Sequence, residues 1–161
     1  MLPQDMYLIP KTPRQVTLWV RPEGPVAGSL FLSFHSSSGT GREDLCDVLN
    51  SHDPFLVLKR ADRDGPGFYN KRAIIRVDYE DDDATPPEGS TTRRCRVSMM
   101  DGSIIEGSAR YMLPPNRARL FDYLNIRDES FIKLHLEGRS ICLVNKGHVA
   151  CVSYIGDEEE T

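Results

Sequence analysis

At 161 residues and 39% hydrophobic side chains, the chain can hold one ordinary domain or two very small ones, since single cores become marginal below about 60 residues. Its 20 basic and 24 acidic side chains give a formal charge of -4, which excludes a general attraction to a phosphate backbone and confines any nucleic-acid contact to a local patch. Cys46, Cys95, Cys142 and Cys151 are scattered without a C-x-x-C pair, so packed free thiols are expected rather than a zinc knuckle or a disulfide framework.

The opening stretch, "MLPQDMYLIPKTPRQ", lacks the basic flank and long apolar core of a signal peptide, and no run reaches the roughly 20 apolar residues of a membrane span. A cytoplasmic location without membrane contact is the expectation. "VTLWVRPEGPVAGSLF" then reads as two strands about a turn at Pro22-Glu23-Gly24-Pro25. Ser36 to Gly41 is small and polar but has no P-loop lysine, so it reads as a flexible loop. Thr40 and Glu43 offer a capping box for a short helix over "DLCDVLN", Asp44 to Asn50. "FLVL" and "RAIIRVDY" follow, rich in β-branched and aromatic residues that suit strands.

From Glu80 to Thr92 the composition changes to acid, proline, glycine and small hydroxyl residues, the signature of an exposed connection. Beyond it the same elements are spelled again. "RVSMMDGSIIEGSARYM" has apolar stretches on both sides of Asp101-Gly102, a strong hairpin signal because glycine accepts positive φ without steric cost. Pro114-Pro115 precede Asn116, an N-cap candidate, and "RLFDYLN" places Leu120, Phe121 and Leu124 on one helical face. Asn50 and Asn125 suit helix ends that want a left-handed residue. "FIKLHL" and "GHVACVSY" read as strands, and the acidic tail from Asp157 as solvated chain.

The two flanks of the linker align in order. Leu45, Asp47, Leu49 and Asn50 fall on Leu120, Asp122, Leu124 and Asn125, and Asn70-Lys71, Val77 and Tyr79 fall on Asn145-Lys146, Val152 and Tyr154 at the same offset. Phe55 to Leu58 sits on Phe131 to Leu134 with one residue inserted, and Gly24 and Gly28 meet Gly102 and Gly107 after small shifts. The expected organisation is a tandem duplication of a unit of about 65 residues. The first unit takes residues 1–80, the linker 81–92, the second unit 93–156 and the tail 157–161.

Strand, D-G, strand, a glycine and a late "VNKGHVACV" resemble the Sm-like fold, including the bacterial RNA-chaperone branch. The resemblance implies a mainly β chain of two tandem Sm-like (SH3-like) small β-barrel repeats. The helix departs from the family, standing between the second and third strands of each copy rather than before the first. Asn70, Lys71, Asn145, Lys146 and His148 stand where the family has its ligand-facing loop, which marks them as ligand-binding candidates and keeps RNA as an alternative ligand. As a bland alternative, Asn-Lys makes a solvated turn.

A second resemblance, to the cyclic-dinucleotide-binding PilZ barrels, rests on Arg93, Arg94 and Arg96 before Asp101-Gly102-Ser103. Guanidinium forks pair well with phosphate and guanine. Here Glu106 occupies the position where that family has glycine, so a basic end to an acidic linker is the competing account. Catalytic patterns are missing: His35, His52, His135 and His148 form no ligand pair, no G-x-S-x-G occurs, and Asp47 and Asp122 have no partner acid or base beside them in sequence. The expected function is therefore a non-enzymatic adaptor or scaffold with no cofactor. It would engage a protein partner through its duplicated surface, with homo-oligomerisation open.

Overall fold

The computed structural model describes residues 11–33, 44–81 and 86–156. The Ser36 to Gly41 loop, His35, the Thr40/Glu43 capping pair and the acidic tail lie outside the described residues. The described chain is mainly β, with ten antiparallel strands and two short helices. The first half contains β1 (Lys11–Val20), β2 (Gly24–Ser33), α1 (Leu45–Asn50), β3 (Phe55–Arg60), β4 (Pro66–Asn70) and β5 (Ile74–Glu80). The second contains β6 (Thr91–Met99), β7 (Ile104–Tyr111), α2 (Leu120–Leu124), β8 (Phe131–His135), β9 (Ser140–Asn145) and β10 (Val149–Tyr154). Each half thus runs strand, strand, helix, three strands, with its helix after the second strand. No helix among the described residues is long and apolar enough to cross a membrane.

Pairing within the halves also corresponds. In the first half the order is β5-β1-β2-β3-β4, and in the second β10-β6-β7-β8-β9. Phe55 faces Asn70 across β3 and β4 as Phe131 faces Asn145 across β8 and β9. Both glycines of the first turns take positive φ, Gly24 at 93° and Gly102 at 89°, where a Cβ would be strained. The first turn differs in shape, since its Arg21-Pro22 peptide is cis.

The two halves do not close separately. β5 pairs with β9, Arg76 opposite Val144 through Glu80 opposite Ser140, and this ladder joins all ten strands into one open sheet. Two closed barrels are therefore not what the strand pairing forms. Consecutive strands β4 and β5 turn sharply through a 3-10 turn at Lys71–Ala73 and end up at opposite sides of their half, as β9 and β10 do through Lys146–His148. β6 begins at Thr91, so the last residues of the expected linker already belong to a strand.

Two apolar clusters make the core. The first gathers Leu18, Leu30, Leu45, Leu49, Leu58 and Val77 with Phe131, Ile141 and Leu143 from the second half. The second gathers Val97, Leu120, Tyr123, Ile132, Leu134 and Val144. The β8–β9 hairpin is consequently buried on both faces, which is why "SICLVN" reads as a nearly unbroken apolar run.

The helices correct several expectations. Asp44 is the N-cap of α1 and Arg119 that of α2, with Asn116 instead inside a preceding 3-10 turn, Pro115–Arg117. Asp47 Oδ2 accepts the backbone N–H of Asp44 at 3.3 Å, and Asp122 Oδ2 accepts that of Arg119 at 3.1 Å. The repeated aspartate thus satisfies a helix-start donor in both places. Neither Asn50 nor Asn125 is left-handed, because no described non-glycine residue has positive φ. On α2 the buried side chains are Leu120 and Tyr123, while Leu124 is half-buried and Phe121 is 64% exposed.

Candidate functional site

Lys71 and Lys146 follow the fourth strand of each half, and both turn towards the end of their half's helix. Lys71 Nζ donates to the carbonyl oxygens of Val48 and Ser51 at 2.8 and 3.2 Å and to Ser51 Oγ at 2.8 Å. Lys146 Nζ donates to the carbonyl oxygen of Ile126 at 2.8 Å. Helix C-termini expose carbonyls that no intrahelical donor reaches, and a cation there also meets the negative end of the dipole. Burial lowers both ammonium pKa values below the usual lysine range, with Asp53 beside Lys71 and Glu129 beside Lys146 opposing the shift. Lys71 is only 9% exposed.

The asparagines before these lysines shape the turns. Asn70 Oδ1 accepts from the N–H of Arg72, and Asn145 Oδ1 from that of Gly147, both at 2.9 Å. Asn145 has a second task, because its Nδ2 donates to the carbonyl oxygens of Lys71 and Ile74 across the β5–β9 ladder at 3.2 and 2.8 Å. His148 Nε2 lies 2.7 Å from the Arg72 carbonyl oxygen, to which it donates. The five loop residues therefore come together around the join between the halves and fasten backbone on both sides of it.

The arginine arm is arranged differently. Arg96 pairs with Glu106 at 2.7 Å, directly opposite in the β6–β7 register, and Arg93 donates to the Thr92 carbonyl at 3.0 Å. Arg94 is exposed and lines a cleft with Arg76, Glu106, His135 and Glu137. Asp101 Oδ1 accepts from both the N–H and the Oγ–H of Ser103, at 2.8 and 2.6 Å, which holds its carboxyl below the usual carboxylate range and closes the hairpin tip. Glu106 stands within reach of Arg96 as an internal counter-charge.

Of the thiols, Cys95 and Cys142 are buried and Cys151 is exposed. Burial is the chief reason the Cys46 thiol is pushed up to about 12 and the Cys95 thiol to about 11, so neither is a ready nucleophile. Among the described residues no group of three or more His, Cys, Asp or Glu is arranged to hold a metal ion.

Sequence reasoning missed the most distinctive surface. Phe55, Val57 and Phe68 share one face of the β3–β4 hairpin, because Val57 stands opposite Phe68 and Phe55 lies two residues before it. All three are exposed, Phe68 at 69% and Phe55 at 53%. A cleft of about 370 Å³ beside this face is lined by Leu30, Phe31, Val48, Phe55 and Val57. β4 is also a sheet edge, pairing only with β3 among the described residues. The readable signal was the unbroken "FLVL", since a strand with one wet face alternates.

Comparison with family models finds no match, and neither does comparison with curated proteins or with solved structures.

Proposed function

We propose that this chain is a duplicated, Sm-like binding module without enzymatic activity, working in the cytoplasm as an adaptor or scaffold for a protein partner. The observation that carries this reading is the apolar face of Phe55, Val57 and Phe68 next to the open edge of β4. An exposed edge offers backbone donors and acceptors to an added strand, and neighbouring apolar side chains give that strand its specificity. Large aromatic side chains standing in water gain most from being covered. The lysines favour a protein over RNA as ligand, because the ammonium of Lys71 is occupied by a carbonyl of α1 and that of Lys146 by the Ile126 carbonyl in the turn after α2.

The test is a pull-down from the native cell with and without nuclease, comparing the wild-type chain with Phe68→Glu. The expected result is a protein partner that survives nuclease and is lost with Phe68→Glu. A catch that disappears with nuclease and ignores the substitution overturns the reading.

A further inference from the structure

The ladder between β3 and β4 fixes which backbone groups of β4 face the open edge. One step beyond the Phe55–Asn70 pair, the Lys71 N–H donates to the Pro54 carbonyl at 2.8 Å. Antiparallel ladders alternate between bonded and non-bonded pairs, so Tyr69 and Gly67 turn their backbone groups towards β3. Phe68 and Asn70 therefore present both an N–H and a carbonyl to the free side. Pro66 presents a carbonyl there and has no N–H to offer.

The sequence along this edge is complementary to itself. Laid antiparallel about Phe68, the segment sets Gly67 opposite Tyr69, Pro66 opposite Asn70, Gly65 opposite Lys71 and Asp64 opposite Arg72. No like charges meet anywhere between Asp64 and Arg72. Asp64 and Arg72 are both exposed, and among the described residues neither side chain has a charged partner. Each is thus a free charge standing where the opposite free charge of a second copy would arrive. At the centre stands Phe68, at 69% the most exposed of the large apolar side chains among the described residues.

We propose that two copies of this chain join β4 to β4 about a two-fold axis at Phe68, forming a symmetric dimer with one continuous sheet. The inference rests on the binding-module reading above and names its partner as a second copy. The Phe68 N–H of each copy donates to the Phe68 carbonyl of the other, and the Asn70 N–H donates to the Pro66 carbonyl. The proline removes only one donor from each side, at a place where its carbonyl is still used. Directly opposite residues share a face, so Val57 and Phe68 of one copy continue into Phe68 and Val57 of the other as a single apolar row. Asp64 of each copy meets Arg72 of the other, and symmetry makes this ion pair twice. An isologous contact uses the same patch on both partners, so the assembly closes at two copies and covers the β4 edges that would otherwise template further pairing.

Sedimentation and native mass spectrometry of the full chain test this with Phe68→Glu, Asp64→Arg, Arg72→Asp and the double variant Asp64→Arg/Arg72→Asp. All three side chains are exposed within one molecule, so the fold is retained, as circular dichroism will verify. Wild type is expected to be a dimer with no larger species. Phe68→Glu sets two carboxylates against each other on the axis and is expected as a single chain. Either charge reversal alone is expected to weaken self-affinity roughly tenfold or more, since two attractive pairs become repulsive. The double variant is expected to regain the dimer, and so is an equimolar mixture of the two single reversals, because opposite charges face each other again. Wild type that remains a single chain at hundreds of micromolar overturns the inference, as does growth beyond two copies. A double variant no better than the single reversals overturns it too, because Asp64 and Arg72 then do not meet. If wild type is a single chain yet still captures a partner that Phe68→Glu loses, this inference falls and the binding-module reading stands. If Phe68→Glu alters neither the self-association nor the catch, both fall.

Discussion

Asn50 holds the backbone of Phe131 from both sides: its Oδ1 accepts the Phe131 N–H at 2.8 Å and its Nδ2 donates to the Phe131 carbonyl at 3.2 Å. The two residues belong to different halves of the chain, and the asparagine amide is one of few side chains able to satisfy a donor and an acceptor on the same peptide strand. Asn125, the corresponding residue, donates through Nδ2 to the Phe121 carbonyl of its own helix.

This difference yields the first prediction. Asn50→Ala is expected to cost about 1 to 3 kcal/mol, since it leaves the buried Phe131 amide groups without their partner. Asn125→Ala is expected to stay within about 0.5 kcal/mol, as an exposed substitution should. Chemical denaturation at a concentration where the chain does not self-associate compares them. Equal effects would mean that the join contributes nothing through this pair.

A second prediction concerns close approach of backbone. A Cβ on Gly28 would stand 2.5 Å from the Lys59 carbonyl oxygen, and one on Gly107 would stand 2.9 Å from that of His135 and 2.8 Å from Leu136. Gly28 belongs to one of the two residue pairs that join β2 to β3, and Gly107 directly precedes the two that join β7 to β8. Gly28→Ala and Gly107→Ala should each destabilise by about 1 to 3 kcal/mol through displaced strands. Gly28→Ala should be the worse, because the tightest obstacle is a carbonyl, whereas Gly107 meets first the end of a leucine. Thermal unfolding that leaves Gly28→Ala unchanged would show that β2 and β3 separate freely.

What was legible in the sequence was local. Alternating and β-branched runs marked the strands, Asp101-Gly102 marked a hairpin, and the paired leucines marked two helical turns in their correct places between strands. The pairing of β5 with β9 was not legible, because strand order across a linker depends on which exposed edges fit and no nearby residue records it. Helix detail failed for a related reason. Leu120, Phe121 and Leu124 have the spacing of one face, but a helix of five residues turns to fit its neighbours, so Tyr123 takes the core and Phe121 the solvent. Of the site, Asn70, Lys71, Asn145, Lys146 and His148 were picked out by position as ligand contacts; the structure places them in the paired turns, Asn70 accepting the Arg72 N–H two residues on and the others bonded to carbonyls from segments remote in sequence. Phe68 was invisible, since "PGFYN" has turn residues that hide a strand.

A third prediction follows from the cap of α2. Asp122 takes a backbone N–H and the guanidinium of Arg119, and these bonds hold its carboxyl below the usual value of 3.8. A carboxylate whose folded pKa is depressed stabilises above the unfolded value and loses that contribution as pH falls through the folded one. The Asp122 carbon resonance should therefore titrate below that of an unstructured aspartate. Acid should loosen α2 only below about pH 4, and Asp122→Asn should remove that pH dependence while keeping an acceptor. A resonance titrating at or above the ordinary value would mean that the Arg119 pair does not persist in solution.

The last prediction separates two tasks for the turn lysines. As helix-end donors, Lys71 and Lys146 act on stability: Lys71→Ala strips three hydrogen-bond acceptors of a buried cation and should cost about 1 to 3 kcal/mol. Lys146→Ala should cost less, because it removes one bond from the Ile126 carbonyl, which keeps the Glu129 N–H. As phosphate ligands they would act on affinity instead, each loss weakening RNA binding and lowering the salt slope by about one unit. The expected outcome is the first. Structured and single-stranded RNA pools titrated at two salt concentrations should show no micromolar binding to wild type, while the double variant unfolds earlier in denaturant. Micromolar binding that vanishes in a double variant still folded at the assay temperature would instead give the lysines to RNA, and with them the function of the paired turns.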